Sequence, residues 1–289
     1  KGYKVTVYDI MYFGDHFLPK YNKNLNIISG DIRDLEKLKK SCADHDVFVS
    51  LACISNDASF VLNEDLSTSV NLNAFEPMVK ASKDAGNKRF IYASSSSVYG
   101  LSDKKDVRED HPLVPLTLYN KYKGMCEPLL FKHTNDNFEG VVFRPATVCG
   151  YAPRLRLDLS VNILTNHAIN NKKISVFGGD QLRPNLHIQD YCDLVELLIV
   201  ADSSKIKNQI FNVGYQNLSI KKLALIVKKV VEEEFEYKKD IEILYTSSDD
   251  KRSYHINSDK IKQILNFIIF KGFAQISYSV FNRKFRFKF

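Results

Sequence analysis

Hydrophobic positions fall into short runs that alternate with longer segments of helical spacing. Residues 4–8 are a β-rich run closed by Asp9, and residues 26–29 are another, closed by Gly30-Asp31. Residues 35–42 have helical spacing, and residues 47–51 read as a strand covered on both faces. Leu66, Val70, Phe75, Met78, Val79 and Ala81 mark one amphipathic helix over 66–83. A strand over 89–93, a helix over 118–133 and a strand over 141–143 follow. This alternation across the first 150 residues predicts an α/β fold with a doubly wound parallel sheet. Right-handed crossovers put the C-terminal ends of the strands on one edge, where such sheets take ligands.

After Gly150 the pattern loosens. Helices are expected over 159–169, 191–201 and 220–234, and strands over 174–177, 210–213 and 240–245. Gly178-Gly179-Asp180 is a turn. The expected division is a first domain over 1–150 that also receives about 185–215, and a smaller C-terminal domain over 151–184 and 216–289, with an atypical tail over 268–289.

Composition narrows the classes. The chain has 289 residues, 44% hydrophobic and 26% charged, enough to bury a sizeable core. No apolar run reaches the ~18–20 residues needed to cross a bilayer. The chain passes from Lys-Gly-Tyr-Lys straight into its first strand without a signal-peptide pattern, so a cytoplasmic location and no membrane partner are expected. The net charge of +7 falls to +3 without residues 283–289, which carry four positive charges and no negative one. Lys221, Lys222, Lys228 and Lys229 have the spacing of a solvated helix face, so no nucleic-acid partner is expected. A positive surface also suits a phosphorylated small substrate. The five cysteines form no CxxC pair and no zinc spacing, which reads as reduced, mostly buried thiols and no metal.

The predicted strand ends carry the candidate chemistry. Asp9 can take both ribose hydroxyls of an NAD adenosine and repel an NADP 2′-phosphate, or it can simply cap a turn. Asp31 can accept from an adenine amino group, or it can cap the helix over 35–42. Ser94-Ser95-Ser96-Ser97-Val98-Tyr99-Gly100 stacks hydroxyls at the same edge, or is a serine-rich turn. Tyr119 and Lys123 form Tyr-x-x-x-Lys on one helix face. An ammonium beside a phenol favours the phenolate, a usable base near neutral pH. Alone each feature is weak; in this order they reinforce one another.

The chain resembles the extended short-chain dehydrogenase/reductase family, specifically its NAD-dependent nucleotide-sugar epimerases and dehydratases, over about residues 3–265. The resemblance is carried by Val-Thr-Val-Tyr-Asp9, Gly30-Asp31-Ile32-Arg33-Asp34, Ser50-Leu51-Ala52-Cys53, Asn71 in Val-Asn-Leu-Asn and the run from Ser94 to Gly100. Tyr119-Asn-Lys-Tyr-Lys123, Phe143-Arg-Pro-Ala-Thr147-Val-Cys-Gly150, Arg183-Pro-Asn-Leu-His187-Ile-Gln-Asp190 and Phe211-Asn-Val-Gly214 continue it. It implies a Rossmann-like first domain and a substrate-binding second one. It puts Asp9, Asp31, Ile32, Leu51, Ala52, Cys53, Asn71, Tyr119 and Lys123 on NAD. It makes Tyr119 the base, Lys123 its partner and Ser95 the catalytic hydroxyl. Ser96, Thr147, Asn162, Arg183 and Arg252 fall to the nucleotide-diphosphate sugar, two arginine forks suiting a diphosphate. Thr147 stands where many relatives have Asn. Cys149 and His187 read as structural. A homodimer is implied by the resemblance alone.

The implied reaction is 4-epimerisation through a transient 4-keto sugar. Relatives that dehydrate commonly carry Asp-Glu directly after the catalytic hydroxyl; here those positions are Ser96 and Ser97. A 4,6-dehydratase or a 4-ketoreductase is the alternative. The family's opening strand, Gly-x-x-Gly-x-x-Gly turn and helix have no counterpart before Gly2. The expected deficit is about 20–25 residues, one βα unit, including the sheet's first strand. A non-catalytic fragment lacking that NAD loop is therefore the reading of another class.

Overall fold

The computed structural model describes residues 2–55, 57–102, 104–235, 240–248, 253 and 255–269. In chain order the elements are β1 (Val5–Asp9), β2 (Leu25–Ser29), α1 (Leu35–Cys42), β3 (Val47–Ser50), α2 (Asp57–Val61), α3 (Glu64–Thr68), a π-turn (Ser69–Asn73), α4 (Phe75–Asp84), β4 (Arg89–Ala93), a 3₁₀ turn (Ser96–Tyr99), α5 (Leu118–Phe131) and β5 (Glu139–Pro145). There follow β6 (Thr147–Cys149), α6 (Ser160–Asn171), β7 (Lys173–Phe177), β8 (Leu182–His187), α7 (Ile188–Val200), α8 (Ser203–Ile206), β9 (Gln209–Val213), β10 (Gln216–Ser219), α9 (Ile220–Glu234), β11 (Glu242–Thr246) and α10 (Asp259–Leu265).

The chain divides into two compact units. The first comprises Lys1–Val98, Pro115–Phe143 and Leu198–Ile210; the second comprises Tyr99–Val114, Arg144–Leu197 and Phe211–Phe289. The first is α/β. Its β1 and β2 pair in parallel, Val5 against Leu25 through Asp9 against Ser29. β3, β4 and β5 pair in parallel in the order β3-β4-β5-β9. All five residues of β4 are buried because it has a strand on each side and helices over its faces. Leu38 of α1, Met78 and Val79 of α4, Cys126 and Leu130 of α5 and Phe90 of β4 share one core. Phe48 stacks on Phe90 at 4.8 Å.

Local chemistry fixes these elements. Asp34 caps α1 by accepting from Lys37 N at 3.1 Å, with Glu36 in its first turn and Lys39 and Lys40 in its last, matching the helix dipole. Asp31 does not take that cap. Arg89, at the start of β4, is buried and bonded to Glu139 of β5. It also donates to Leu198 O, Ile199 O and Ala201 O at 2.6–2.8 Å, closing the C-terminal end of α7.

Two expectations are corrected. The helix over 66–83 is interrupted at Ser69–Asn73, where Ala74 N bonds to Ser69 O, one residue further back than an α-helix uses. β3 is only half-buried at Val47, Phe48 and Val49 rather than covered on both faces. The reason is that, among the described residues, β3 pairs only with β4 and β1 only with β2, so one edge of each has no neighbouring strand.

In the second unit β8 lies between antiparallel β10 and parallel β6, and β7 pairs in parallel with β11. Val161, Leu164 and Ala168 of α6 meet Leu223, Val227 and Val231 of α9 over Ile174 and Val176 of β7. Among the described residues no helix is long and apolar enough to cross a membrane. The tail over 270–289 lies outside the described residues.

Candidate active site

The parallel strands of the first unit deliver Asp9, Asp31, the loop after Ser50 and the serine run to their C-terminal ends. Asp9 is exposed, and its Oδ1 accepts from Met11 N at 2.7 Å. Tyr8 ties β1 to β2 by donating to Asp31 O at 2.8 Å. Its ring passes so close to Gly30 that a Cβ there would lie 2.3 Å from Cζ, so only glycine admits this approach. The Asp31 carboxylate is forked by Arg33, Nε at 2.9 Å and Nη2 at 2.5 Å, which holds its carboxyl below the usual range. Ile32 is buried in the core.

After β3, Leu51 and Ala52 are exposed and Cys53 is half-buried. The loop is held from the π-turn. Asn71 Oδ1 accepts from Ile54 N at 2.8 Å and Nδ2 donates to Ile54 O at 2.9 Å. The carboxamide that the resemblance assigns to the cofactor thus engages the backbone N–H and C=O of Ile54.

The four serines have four different settings. Ser94 Oγ donates to the buried Glu127 Oε1 at 2.6 Å. Ser95 is half-buried, its Oγ 2.7 Å from Ser97 Oγ and 3.2 Å from Ser97 N. Ser97 Oγ donates to Asn120 Oδ1 in a short bond. Ser96 is 1% exposed, so a substrate reaches it only by displacing the 3₁₀ turn.

Helix α5 begins at the Thr117 N-cap, whose hydroxyl accepts from Asn120 N at 3.4 Å. Asn120, Lys123 and Glu127 follow at i, i+3 and i+7, one face of the helix. They bond to Ser97, to Ala93 O and to Ser94 respectively, the Lys123 Nζ contact being 2.8 Å. α5 is thereby fastened along the end of β4, with half-buried Tyr119 in its first turn. The Lys123 ammonium also lies 5.2 Å from the Tyr92 ring centroid. Burial pushes the Tyr92 phenol well above its ordinary value, so Tyr92 stays protonated and donates to Lys123 O at 3.2 Å. The sequence reading missed Asn120 and Glu127. Their spacing with Lys123 on a stripe that must face inward is the signal that marks them.

Within the second unit, Thr147 opens β6 and is half-buried. Asn162 is buried and spans the loop before it, accepting from Gly150 N at 3.2 Å and donating to Arg156 O at 2.9 Å. Arg183 is half-buried and donates to Leu182 O at 2.9 Å. Arg252 lies outside the described residues. Cys149 is buried and its thiol is pushed up to about 12, as a structural thiol requires. His187 is buried and its Nδ1 accepts from Gln189 N at 3.1 Å at the start of α7.

These residues fit part of a dinucleotide. The strand ends of the first unit offer an exposed carboxylate at Asp9, the loop at Leu51–Cys53 and the group of serines, Tyr119 and Lys123. Among the described residues no glycine-rich strand-to-helix turn supplies a cradle for its diphosphate.

Comparison with known proteins gives three kinds of match. A family model described as "NAD dependent epimerase/dehydratase family" matches residues 1–214. The low-salt glycan biosynthesis protein Agl12 of Haloferax volcanii is 25% identical over 243 residues, covering 83% of this chain and 76% of that protein. The UDP-glucose 4-epimerase of Rhizobium meliloti is 23% identical over 307 residues, 98% of this chain and 90% of that protein. Among solved structures, the NAD-bound dTDP-glucose 4,6-dehydratase DesIV of Streptomyces venezuelae superposes with a TM-score of 0.82 over 97% of this chain and 87% of that one. At 19% identity that likeness bears on the fold alone.

Proposed function

Because the chain belongs to the NAD dependent epimerase/dehydratase family, we propose that it is a nucleotide-sugar 4-epimerase acting through a transient 4-keto sugar. The observation that carries this reading is the fastening of α5 to the serine turn through Asn120, Lys123 and Glu127. That fastening supports a reading in which Tyr119, the Lys123 ammonium and the Ser95 hydroxyl act together.

Tyr119 takes the proton of the sugar hydroxyl and later returns it. Lys123, with its ammonium fixed on Ala93 O, supplies the positive charge that favours the phenolate. Ser95 holds the sugar oxygen, and Asp9 holds the adenosine ribose at the far end of the site. Bound NAD supplies the hydride acceptor and donor. Leu51, Ala52 and Cys53 line its path. Thr147, Asn162, Arg183 and Arg252 are assigned to the sugar nucleotide. Ser96 and Ser97, where dehydrating relatives commonly carry Asp-Glu, offer no acid/base pair to eliminate water, which favours epimerisation over dehydration. The same reading makes the protein a cytoplasmic homodimer without nucleic-acid or membrane partners, with the first domain for NAD and the second for substrate. Light scattering measures the dimer.

Tyr119→Phe tests the assignment. Turnover should fall by orders of magnitude while nucleotide-sugar binding persists; unchanged turnover refutes it.

A further inference from the structure

Lys123 favours a phenolate at Tyr119 only while it carries its own charge, and its surroundings work against that charge. It is 7% exposed. Its Nζ donates to Ala93 O at 2.8 Å and lies 5.2 Å from the Tyr92 ring centroid, and both partners are neutral. An ammonium taken out of water tends to lose its proton unless a negative charge stands close by.

Glu127 stands one turn further along α5, at i+4 from Lys123 and i+8 from Tyr119, and is 2% exposed. This spacing keeps the three on one stripe of the helix. Its Oε1 accepts from Ser94 Oγ at 2.6 Å, the length of a hydroxyl bonded to an ionised carboxylate. Ala93 and Ser94 are consecutive at the end of β4, so the ammonium and the carboxylate hold neighbouring residues. Along the helix axis Glu127 is about 6 Å from Lys123 and about 12 Å from Tyr119. At an effective dielectric constant of about 20, a charge at about 6 Å moves a titration by about two pH units and one at about 12 Å by about one. Glu127 therefore holds the proton on Lys123 more strongly than it opposes the phenolate.

Other titratable groups face the same region. On α5 burial pushes the Cys126 thiol up to about 12, and on β4 it pushes the Tyr92 phenol well above its ordinary value, so both are neutral. From α4, Glu76 is engaged by Lys132 and His133 toward the other end of α5. Asp57 opens α2, which packs on α5, and Cys53 follows β3. We propose that Glu127 is a positioning residue whose buried charge keeps Lys123 an ammonium over the pH range in which Tyr119 works. This role rests on the reading of Tyr119 and Lys123 as base and partner, and it adds a residue that touches neither substrate nor cofactor.

Substitutions at position 127 separate this role from that of a plain acceptor for Ser94. Glu127→Gln keeps an oxygen for the Ser94 hydroxyl and removes the charge. Lys123 should then lose its proton about two pH units lower than in the wild type. Glu127→Asp keeps the charge and draws the oxygen back from Ser94. Lys123 should then titrate within about half a unit of the wild type. A plain acceptor would give the reverse order, with Gln silent and Asp disruptive.

The experiment is an NMR titration of the full chain, without ligand, labelled with carbon-13 at lysine Cε and tyrosine Cζ. The signals lost in Lys123→Met and in Tyr119→Phe identify the two groups. A fall of the Lys123 midpoint by about two units in Glu127→Gln, with Glu127→Asp near the wild type, supports the role. A fall below about half a unit in Gln, or an equal fall in Asp, overturns it. If Glu127→Gln does not fold, Glu127→Asp and Ser94→Ala decide, since both keep the charge. Lys123 within about half a unit of the wild type in both supports the role, and a larger fall in either overturns it. Lys123→Met tests the underlying pair separately: Tyr119 should ionise at higher pH. A Tyr119 midpoint unmoved by Lys123→Met overturns the pairing and the role of Glu127 with it, whereas a response there with Lys123 unmoved in Glu127→Gln overturns the role of Glu127 alone.

Discussion

Asn71 offers the sharpest test of how the site's loops are held. Its carboxamide makes two bonds to the backbone of Ile54, accepting from Ile54 N at 2.8 Å and donating to Ile54 O at 2.9 Å. Asn71 itself is 9% exposed and Ile54 is half-buried. Asn71→Ala leaves a peptide N–H and a carbonyl without partners, and each such group costs about 1–3 kcal/mol when buried. Because Ile54 is half-buried, water satisfies part of that demand, and the lower half of the range applies, about 2–4 kcal/mol in total. Asn71→Asp keeps the acceptor for Ile54 N but turns an oxygen toward Ile54 O, so its loss should be at least as large. Urea unfolding measures the total, and hydrogen exchange of residues 51–55 measures where it falls. A loss below about 0.5 kcal/mol, within the usual range for surface changes, together with unaltered exchange in that loop, refutes the clamp. The carboxamide would then be free for a ligand.

Other outcomes follow from single features of the two units. Arg89→Met should destabilise the protein by about 3–5 kcal/mol by leaving Glu139 buried without its cation. The double variant Arg89→Met/Glu139→Met should recover part of that loss in urea unfolding, and no recovery would deny the pair its role. Native alkylation with iodoacetamide at pH 8, followed by mass spectrometry, should label Cys53 and Cys192 and spare Cys42, Cys126 and Cys149. The Cys126 and Cys149 thiols, pushed up to about 12, are only about 10⁻⁴ thiolate there. Burial raises the Glu109 carboxyl above its ordinary value. The folded state therefore favours the protonated form, and this stability is full below the unfolded value of about 4.3 and is lost as pH rises through the raised one. Glu109→Gln should remove that loss, so its stability relative to wild type should grow from pH 4 upward; a constant difference would contradict the burial effect.

Much of the first unit was legible because its elements obey one strong period each. The helix at Leu35–Cys42 and the strand at Arg89–Ala93 match the ranges read from hydrophobic spacing, as does the helix at Ile220–Glu234 in the second unit. β6, β8 and β10 were not legible. β8 contains Pro184 and Asn185, and β6 and β10 are short; all three become strands through pairing with residues distant in sequence. Spacing also gave the pair Tyr119–Lys123, since i and i+4 is a property of one helix. It could not rank the four serines. Which hydroxyl is buried, which faces out and which meets Asn120 depends on how α5 lies against β4, a tertiary fact. The two open strand edges follow the same logic: the half-burial of β3 belongs to its neighbours, not to its own apolar residues.

Return of the hydride to C4 is tested most directly with UDP-glucose deuterated at C4, incubated with the protein and excess NAD and followed by NMR. The C4 epimer should form with deuterium still at C4 and none of it at C6, and this conversion should be lost in Tyr119→Phe. Deuterium delivered to C6 of a 4-keto-6-deoxy sugar, or conversion undiminished in Tyr119→Phe, would contradict it.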